Sequence, residues 1–470
     1  MMKTKASHKR AIGLIIAAAF IIVFAVLPGS ESGLTHAGFS AIGLFCAAII
    51  LWMLDVFPMA ISAAIIVVLF PLFGIMTFKE AVAGFSTSSV IFIFGTFAIT
   101  AAMKASSIPL RITALAIKFS KGNAKRLILA FCLAAGLISS FMSSTAVCVM
   151  FWMFANTILK VMQVKRGESN LGRALAITVP VAAGVGGFMT PAGTPGNILM
   201  IDFMAQYGYE ISFSQWTLIA FPIGLLTLIV FALWIGRVFE PEGVSQMAQD
   251  SITDKVREAG SWDARDYKTL AIIAAMIVMW FMGSWVPYLN TATVAVIGMT
   301  VMFLPGIDIL DWNKMKEDAN TNILLMMGLA PIISSALSST GALDYIVGRI
   351  FGGGMFSNMN GFILLVVVIA LVCILRAFIP TPAAVVSLLG PLMYTIAQLT
   401  GANPVVLFLS VSFWGAAAML LLYTEPIFFF SFAEGYFTEK DLLKSGWLPC
   451  AVMSIAAAVL IPLLAAVAGF

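Results

Sequence analysis

The chain has 470 residues, of which 61% are hydrophobic and only 10% charged, with a formal net charge of +4. A soluble domain carries roughly a quarter charged residues, so this composition excludes a water-soluble enzyme and points to an all-α polytopic membrane protein in contact with the lipid bilayer. The charge excess follows from where Lys and Arg sit in loops rather than from a basic binding surface, and nucleic acid is not expected as a partner.

Taken in chain order, Lys3, Lys5, Lys9 and Arg10 precede an apolar run at 11–28, read as a first transmembrane helix rather than a signal peptide because further spans follow at once. Spans near 37–54, 58–77 and 88–104 lead to a basic stretch with Arg111, Lys118, Lys121, Lys125 and Arg126. Lys/Arg asymmetry places that stretch and the N-terminus in the cytoplasm of a multi-pass cell-membrane protein, a bacterial inner membrane being expected. Runs at 127–162, 174–202 and 214–237 follow, the first too long for one helix and broken by the serines around 139–145. The charged segment 238–267 reads as a linker between an N-terminal half, 1–237, and a C-terminal half, 268–470. The second half carries runs near 268–286, 290–304, 320–340, 361–379, 381–399, 403–431 and 446–469. His8, His36 and five scattered cysteines offer no metal-ligand spacing. No metal site and no organic cofactor are expected.

The halves share a pattern. Phe78-Lys79-Glu80-Ala81 leads through Ser86-Thr87-Ser88-Ser89 into an apolar run, as Trp312-Asn313-Lys314-Met315 leads through Asn320-Thr321-Asn322, at an offset of about 234 residues. Such symmetry marks transporters built from repeats, and inversion of the two repeats is the natural topology.

Four polar breaks interrupt apolar sequence in matching order: Ser143-Ser144-Thr145, Thr190 to Asn197, Pro380-Thr381-Pro382-Ala383 and Tyr423-Thr424-Glu425-Pro426. Unwound backbone at membrane depth is tolerated only when it is buried in protein or lines a cavity. Helix N-termini and hydroxyl groups there suit a carboxylate or other oxyanion. A secondary transporter of small anions fits this pattern. An ion channel would need a continuous polar pore, and a membrane-embedded enzyme would need a nucleophile, metal ligands or an acid/base pair, so no enzyme activity is expected.

These motifs resemble the divalent anion/sodium symporter (DASS) family over nearly the whole chain. Met142-Ser143-Ser144-Thr145-Ala146 is similar to the family's Ser-Asn-Thr hairpin tip, and Gly193-Thr194-Pro195-Gly196-Asn197 to its Gly-Thr-Pro-Pro-Asn. Thr381-Pro382-Ala383 stands at the second tip, with Thr424-Glu425-Pro426 in the later break. The resemblance implies about 11 transmembrane helices plus two re-entrant hairpins, scaffold and transport domains, a homodimer, and elevator-type alternating access. It also implies a substrate site at Ser143, Ser144, Thr145, Thr194, Pro195, Asn197, Thr381, Pro382, Ala383 and Thr424. A sodium site around Ser143, Ser144 and Gly193 is carried over in the same way.

The departures bear on coupling. The family's motif asparagines are Ser144 and Pro382 here, and proline offers neither a side-chain oxygen nor an N–H. Arg376 and Glu425 lie beside the second-half breaks, where intramembrane charge is usually functional; Arg376 could supply fixed charge to an anion and Glu425 could take a proton. The expected activity is therefore exchange of small divalent organic anions, di- or tricarboxylates, without sodium. The alternative is sodium-coupled symport of a dicarboxylate, sulfonate or sulfate.

Overall fold

The computed structural model describes residues 2–26, 34–54, 56–286, 288–351, 360–376, 379, 381–416, 420–422, 425 and 427–470. Among these the secondary structure is helical, without a strand. Among the described residues eight helices are long and apolar enough to cross a membrane, and five shorter apolar helices accompany them. The runs expected at 37–54, 214–237 and 381–399 appear as His36–Met53, Phe213–Val238 and Pro382–Thr400. Their ends are set by local chemistry: Thr35 accepts from Gly38 N–H, and Ser212 forms a reciprocal capping box with Gln215, each satisfying amides that the first helical turn leaves without partners.

Two compact units interleave along the chain. The first comprises residues 1–91, 198–210 and 320–415; the second comprises 92–197, 211–319 and 416–470. In the first, Met2–Val26 packs on His36–Met53, and Thr321–Ser339 packs on Met59–Leu72. A Cβ on Gly84 would lie 2.1 Å from the Gly328 carbonyl oxygen, so the two backbones touch there as only glycine permits.

The second unit is organised around Ala124–Ser139, Asn170–Phe188 and Phe213–Val238, the last of which packs along Glu439–Val467. The polar segment 238–267 does more than connect. It forms the helix Gln246–Glu258, and Glu242 accepts from the Asn170 and Leu171 amides at 2.9 and 2.6 Å, capping the helix that leads to the second break. Arg111, in the basic stretch, donates to Ser107 Oγ (2.6 Å) and the Gly260 carbonyl (2.9 Å). Ser107 in turn donates from N–H and Oγ to Asp266, fixing the end of the polar segment to the start of Ile108–Ser120.

Candidate functional site

The first break forms where Ala124–Ser139 stops and Ser144–Val161 begins. Ser140 closes the first helix by donating to the Gly136 carbonyl. Ser143 is the N-cap of the second but makes no side-chain capping bond, so the first-turn amides and their partial positive charge are left available to another acceptor. Ser143 and Thr145 are exposed and Ser144 is half-buried.

The second break separates Asn170–Phe188 from Pro195–Gln206. Trp216 Nε1 donates to the Phe188 carbonyl at 3.0 Å, pinning the point where the helix stops. Proline at the first position of the new helix costs nothing, because its missing N–H would have had no partner there. Asn197 is fully buried, and its Nδ2 donates to the carbonyls of Gly187 (2.8 Å) and Thr190 (2.7 Å). One amide thus satisfies an oxygen from the helix end and another from the unwound segment.

The two breaks are knitted together. Thr190 Oγ1 donates to the Ser140 carbonyl. Ser139 Oγ lies 2.6 Å from the Ala183 carbonyl and 3.1 Å from Ser144 Oγ. A Cβ on Gly193 would come within 2.4 Å of the Gly187 carbonyl oxygen and 2.8 Å of the Ser139 carbonyl oxygen, and one on Gly187 within 2.6 Å of Ser144 Oγ. Ser139 Oγ donates towards both the Ala183 carbonyl and Ser144 Oγ, so the Ser144 hydroxyl keeps its own proton and a remaining lone pair for an incoming group.

Of the sequence-predicted residues, Ser143, Ser144, Thr145, Thr194, Pro195, Asn197 and Gly193 all fall in the second unit, in this pair of breaks. Glu425 belongs to the same unit. There, Cys148 Sγ reaches the Ile427 carbonyl at 3.5 Å, and Gly184 faces the Ala416 carbonyl. Thr424, with Tyr423, Pro426 and Pro380, lies outside the described residues. Thr381, Pro382, Ala383 and Arg376 fall in the first unit. There Gly361–Arg376 ends and Pro382–Thr400 begins, with Thr381 as N-cap and Pro382 again at the first helical position. The Thr381 hydroxyl oxygen is buried with no hydrogen-bond partner. Arg376 is 1% exposed, and its Nη1 donates to the Ile379 carbonyl at 3.0 Å. Ser139, Thr190, Gly187 and Trp216 also build the site, although the motif comparison does not select them. The paired Gly186-Gly187 before a Pro/Gly/Thr run is the signal that points to them.

A sequence profile for the transmembrane region of sodium:sulfate symporters matches residues 8–468. The chain belongs to that family. Its relatives include a sodium-dependent dicarboxylate transporter of Staphylococcus aureus (strain USA300), 22% identical over 423 residues, 84% of this chain and 80% of that protein. Another, from Staphylococcus saprophyticus, is 22% identical over 436 residues, covering 86% and 83%. The fold of this sodium:sulfate symporter family member is similar to the crystal structure of the Alcanivorax borkumensis YdaH transporter, with TM-score 0.54, 12% identity and coverage of 82% of this chain and 87% of that one. The family membership expected from the hairpin-tip and Gly-Thr-Pro motifs is thereby established, and with it a multi-pass membrane protein of a transporter family.

Proposed function

We propose that this protein is a secondary active transporter that moves a small dicarboxylate together with sodium. The observation that carries the reading is the pair of breaks at 140–143 and 189–194, where an uncapped helix N-terminus, exposed Ser143 and Thr145 hydroxyls and the half-buried Ser144 and Thr194 stand together. Donors of that kind suit a carboxylate, and the remaining lone pair of Ser144 with the carbonyls around Gly193 suits a sodium ion carried with it. Thr381, Pro382, Ala383 and Thr424 contribute the second tip and its later break in this reading, and Pro195 and Asn197 hold the first in shape. Relatives that bear the name of sodium-dependent dicarboxylate transporters support sodium coupling over the sodium-free exchange that Pro382 and Arg376 suggest. The bond from Arg376 to the Ile379 carbonyl also gives that guanidinium a structural task and weakens the case for it as a substrate counter-charge. The protein works as a homodimer by elevator-type alternating access between two inverted repeats, 1–237 and 268–470, with its N-terminus in the cytoplasm.

Reconstituted into empty proteoliposomes, the protein is expected to accumulate radiolabelled succinate only under an inward sodium gradient. Equal uptake in sodium-free buffer, driven by succinate inside the vesicles, would overturn sodium coupling in favour of exchange.

A further inference from the structure

Glu425, at the later second-half break, accepts from the Phe428 N–H at 3.1 Å. The helix that follows, Phe428–Phe432, has five residues and no side-chain cap. A helix of that length does not stand alone, so the place of 425–427 is set by what the segment packs on. It packs on Ser144–Val161 and Asn170–Phe188, the helices that meet at the first-half breaks.

Ser144, Cys148, Trp152 and Asn156 stand four residues apart on the first of these helices and share one face. Cys148 Sγ reaches the Ile427 carbonyl at 3.5 Å, the Trp152 ring meets Tyr436 edge-on with centroids 5.8 Å apart, and Asn156 Nδ2 donates to Glu434 Oε1 at 3.2 Å. Arg166 Nη2 donates to Glu434 Oε2 at 2.7 Å. The second helix forms the opposite wall: a Cβ on Gly184 would lie 3.9 Å from Ile427 Cδ1, and one on Gly172 only 2.7 Å from Tyr436 Cδ1. On both helices the contact with Ile427 is nearer the break and the contact with Tyr436 farther from it. The segment therefore lies lengthwise in the groove between them, one end a single helical turn from Ser144 and the other closed by Tyr436, which is 2% exposed. Within the reading that the Ser143–Thr145 tip receives the substrate, on which this inference rests, we propose that Tyr436, with Glu434, is a positioning residue for the anion site. Its ring wedges the segment into the groove and so holds 425–427 against the helix that carries Ser144.

The test uses the full-length protein in proteoliposomes, with succinate uptake normalised to the amount inserted. Tyr436→Ala removes the wedge, and Gly172→Ala presses a methyl group on the ring while leaving Tyr436 itself in the chain. Each should raise the half-saturating succinate concentration about tenfold and leave the maximal rate near that of wild type. In the Tyr436→Ala background Gly172→Ala should add nothing, since its clash has lost its partner. A second readout follows the seat directly. With Cys148 as the sole cysteine, N-ethylmaleimide should react about tenfold faster in Tyr436→Ala than in its parent, because the Ile427 segment no longer covers the thiol. With Cys132 as the sole cysteine, equally buried on Ala124–Ser139, the rate should not change. Acceleration of both thiols to the same extent would show general loosening and overturn the positioning role, as would half-saturation within about twofold of wild type in Tyr436→Ala. Wild-type uptake separates the two levels: a wild type that takes up no succinate removes the substrate reading, whereas wild-type uptake with unaltered half-saturation in the variants removes the positioning role alone.

Discussion

Asn197 is the residue whose loss should be most informative about how the break is held. Its Nδ2 is the donor to the Gly187 and Thr190 carbonyls, and no part of the side chain is exposed. Asn197→Ala strands the Gly187 oxygen, while the Thr190 oxygen keeps the Gly193 N–H at 3.3 Å. A buried acceptor left without a donor costs about 1–3 kcal/mol, the lower bound applying if water enters the space vacated by the amide. This cost falls on the conformation that shapes the site. If competing arrangements of 189–197 escape it, about 2 kcal/mol shifts the equilibrium against the competent form roughly 30-fold, and the half-saturating substrate concentration rises by up to that factor. Asn197→Asp is the near-isosteric companion: a carboxylate facing two carbonyl oxygens has no proton to give, and its effect should be at least as large. The assay is succinate uptake against concentration by reconstituted full-length protein, normalised to the amount inserted, with the thermal midpoint measured in parallel. Half-saturation within twofold of wild type in either variant, at an unchanged midpoint, would refute the role given to this amide.

Gly193→Ala should abolish uptake, since the new methyl group would meet carbonyl oxygens of Gly187 and Ser139 at 2.4 and 2.8 Å and no flexible side chain is there to yield; uptake at wild-type rate would show that the two breaks are not in contact. Ser143→Ala combined with Thr145→Val should weaken substrate-dependent thermal stabilisation strongly while leaving the ligand-free midpoint unchanged, because both hydroxyls are exposed and hold nothing else in place. For Glu242, burial raises the carboxyl, but donors at Asn170, Leu171 and Ser169 outweigh it and hold the group below the ordinary carboxylate value. A depressed folded-state value means its stabilisation is complete above the unfolded-state pKa of about 4.3 and is lost as pH falls through the lower folded-state value. Glu242→Gln should therefore unfold at lower temperature than wild type at pH 7, with the gap closing on acidification; a gap that stays constant from pH 7 to pH 3.5 would refute this account.

The transmembrane pattern and the breaks were legible because both are local. A run at 127–162 exceeds one bilayer crossing, and its serines mark the place where the chain leaves one helix at Ser139 and enters the next at Ser144. Thr-Pro at 194–195 and 381–382 likewise signals a helix start, and both prolines occupy the first helical position. What the pattern could not show is pairing over distance. Glu242 reads as a solvated acid in a polar linker, yet its partners lie 72 and 71 residues earlier. Arg111 reads as one cation of a basic stretch, yet its network runs through Gly260 and Asp266. The interleaving of the two compact units is of the same kind, since nothing in the segment 198–210 announces that it belongs with 320–415 rather than with the residues just before it.

The two halves solve one physical problem with different side chains. Each unwound segment leaves carbonyl oxygens without helical partners, and every such oxygen needs a donor or a cation. In the first half the donors are neutral: the Asn197 amide serves Gly187 and Thr190, and the Thr190 hydroxyl serves Ser140. Neutral donors add no net charge, so lone pairs that remain, such as the one on Ser144, can still attract a cation. In the second half Arg376 serves Ile379, and a guanidinium stays charged at every accessible pH. An oxygen satisfied by Arg376 has less need of a cation. The replacement of the motif asparagine by Pro382 follows the same logic, because a position that no longer ligates a cation is free to take the residue best suited to starting a helix. In the sodium-coupled reading proposed above, the first-half breaks are the better place for the cation, an asymmetry that the matched order of the four breaks conceals.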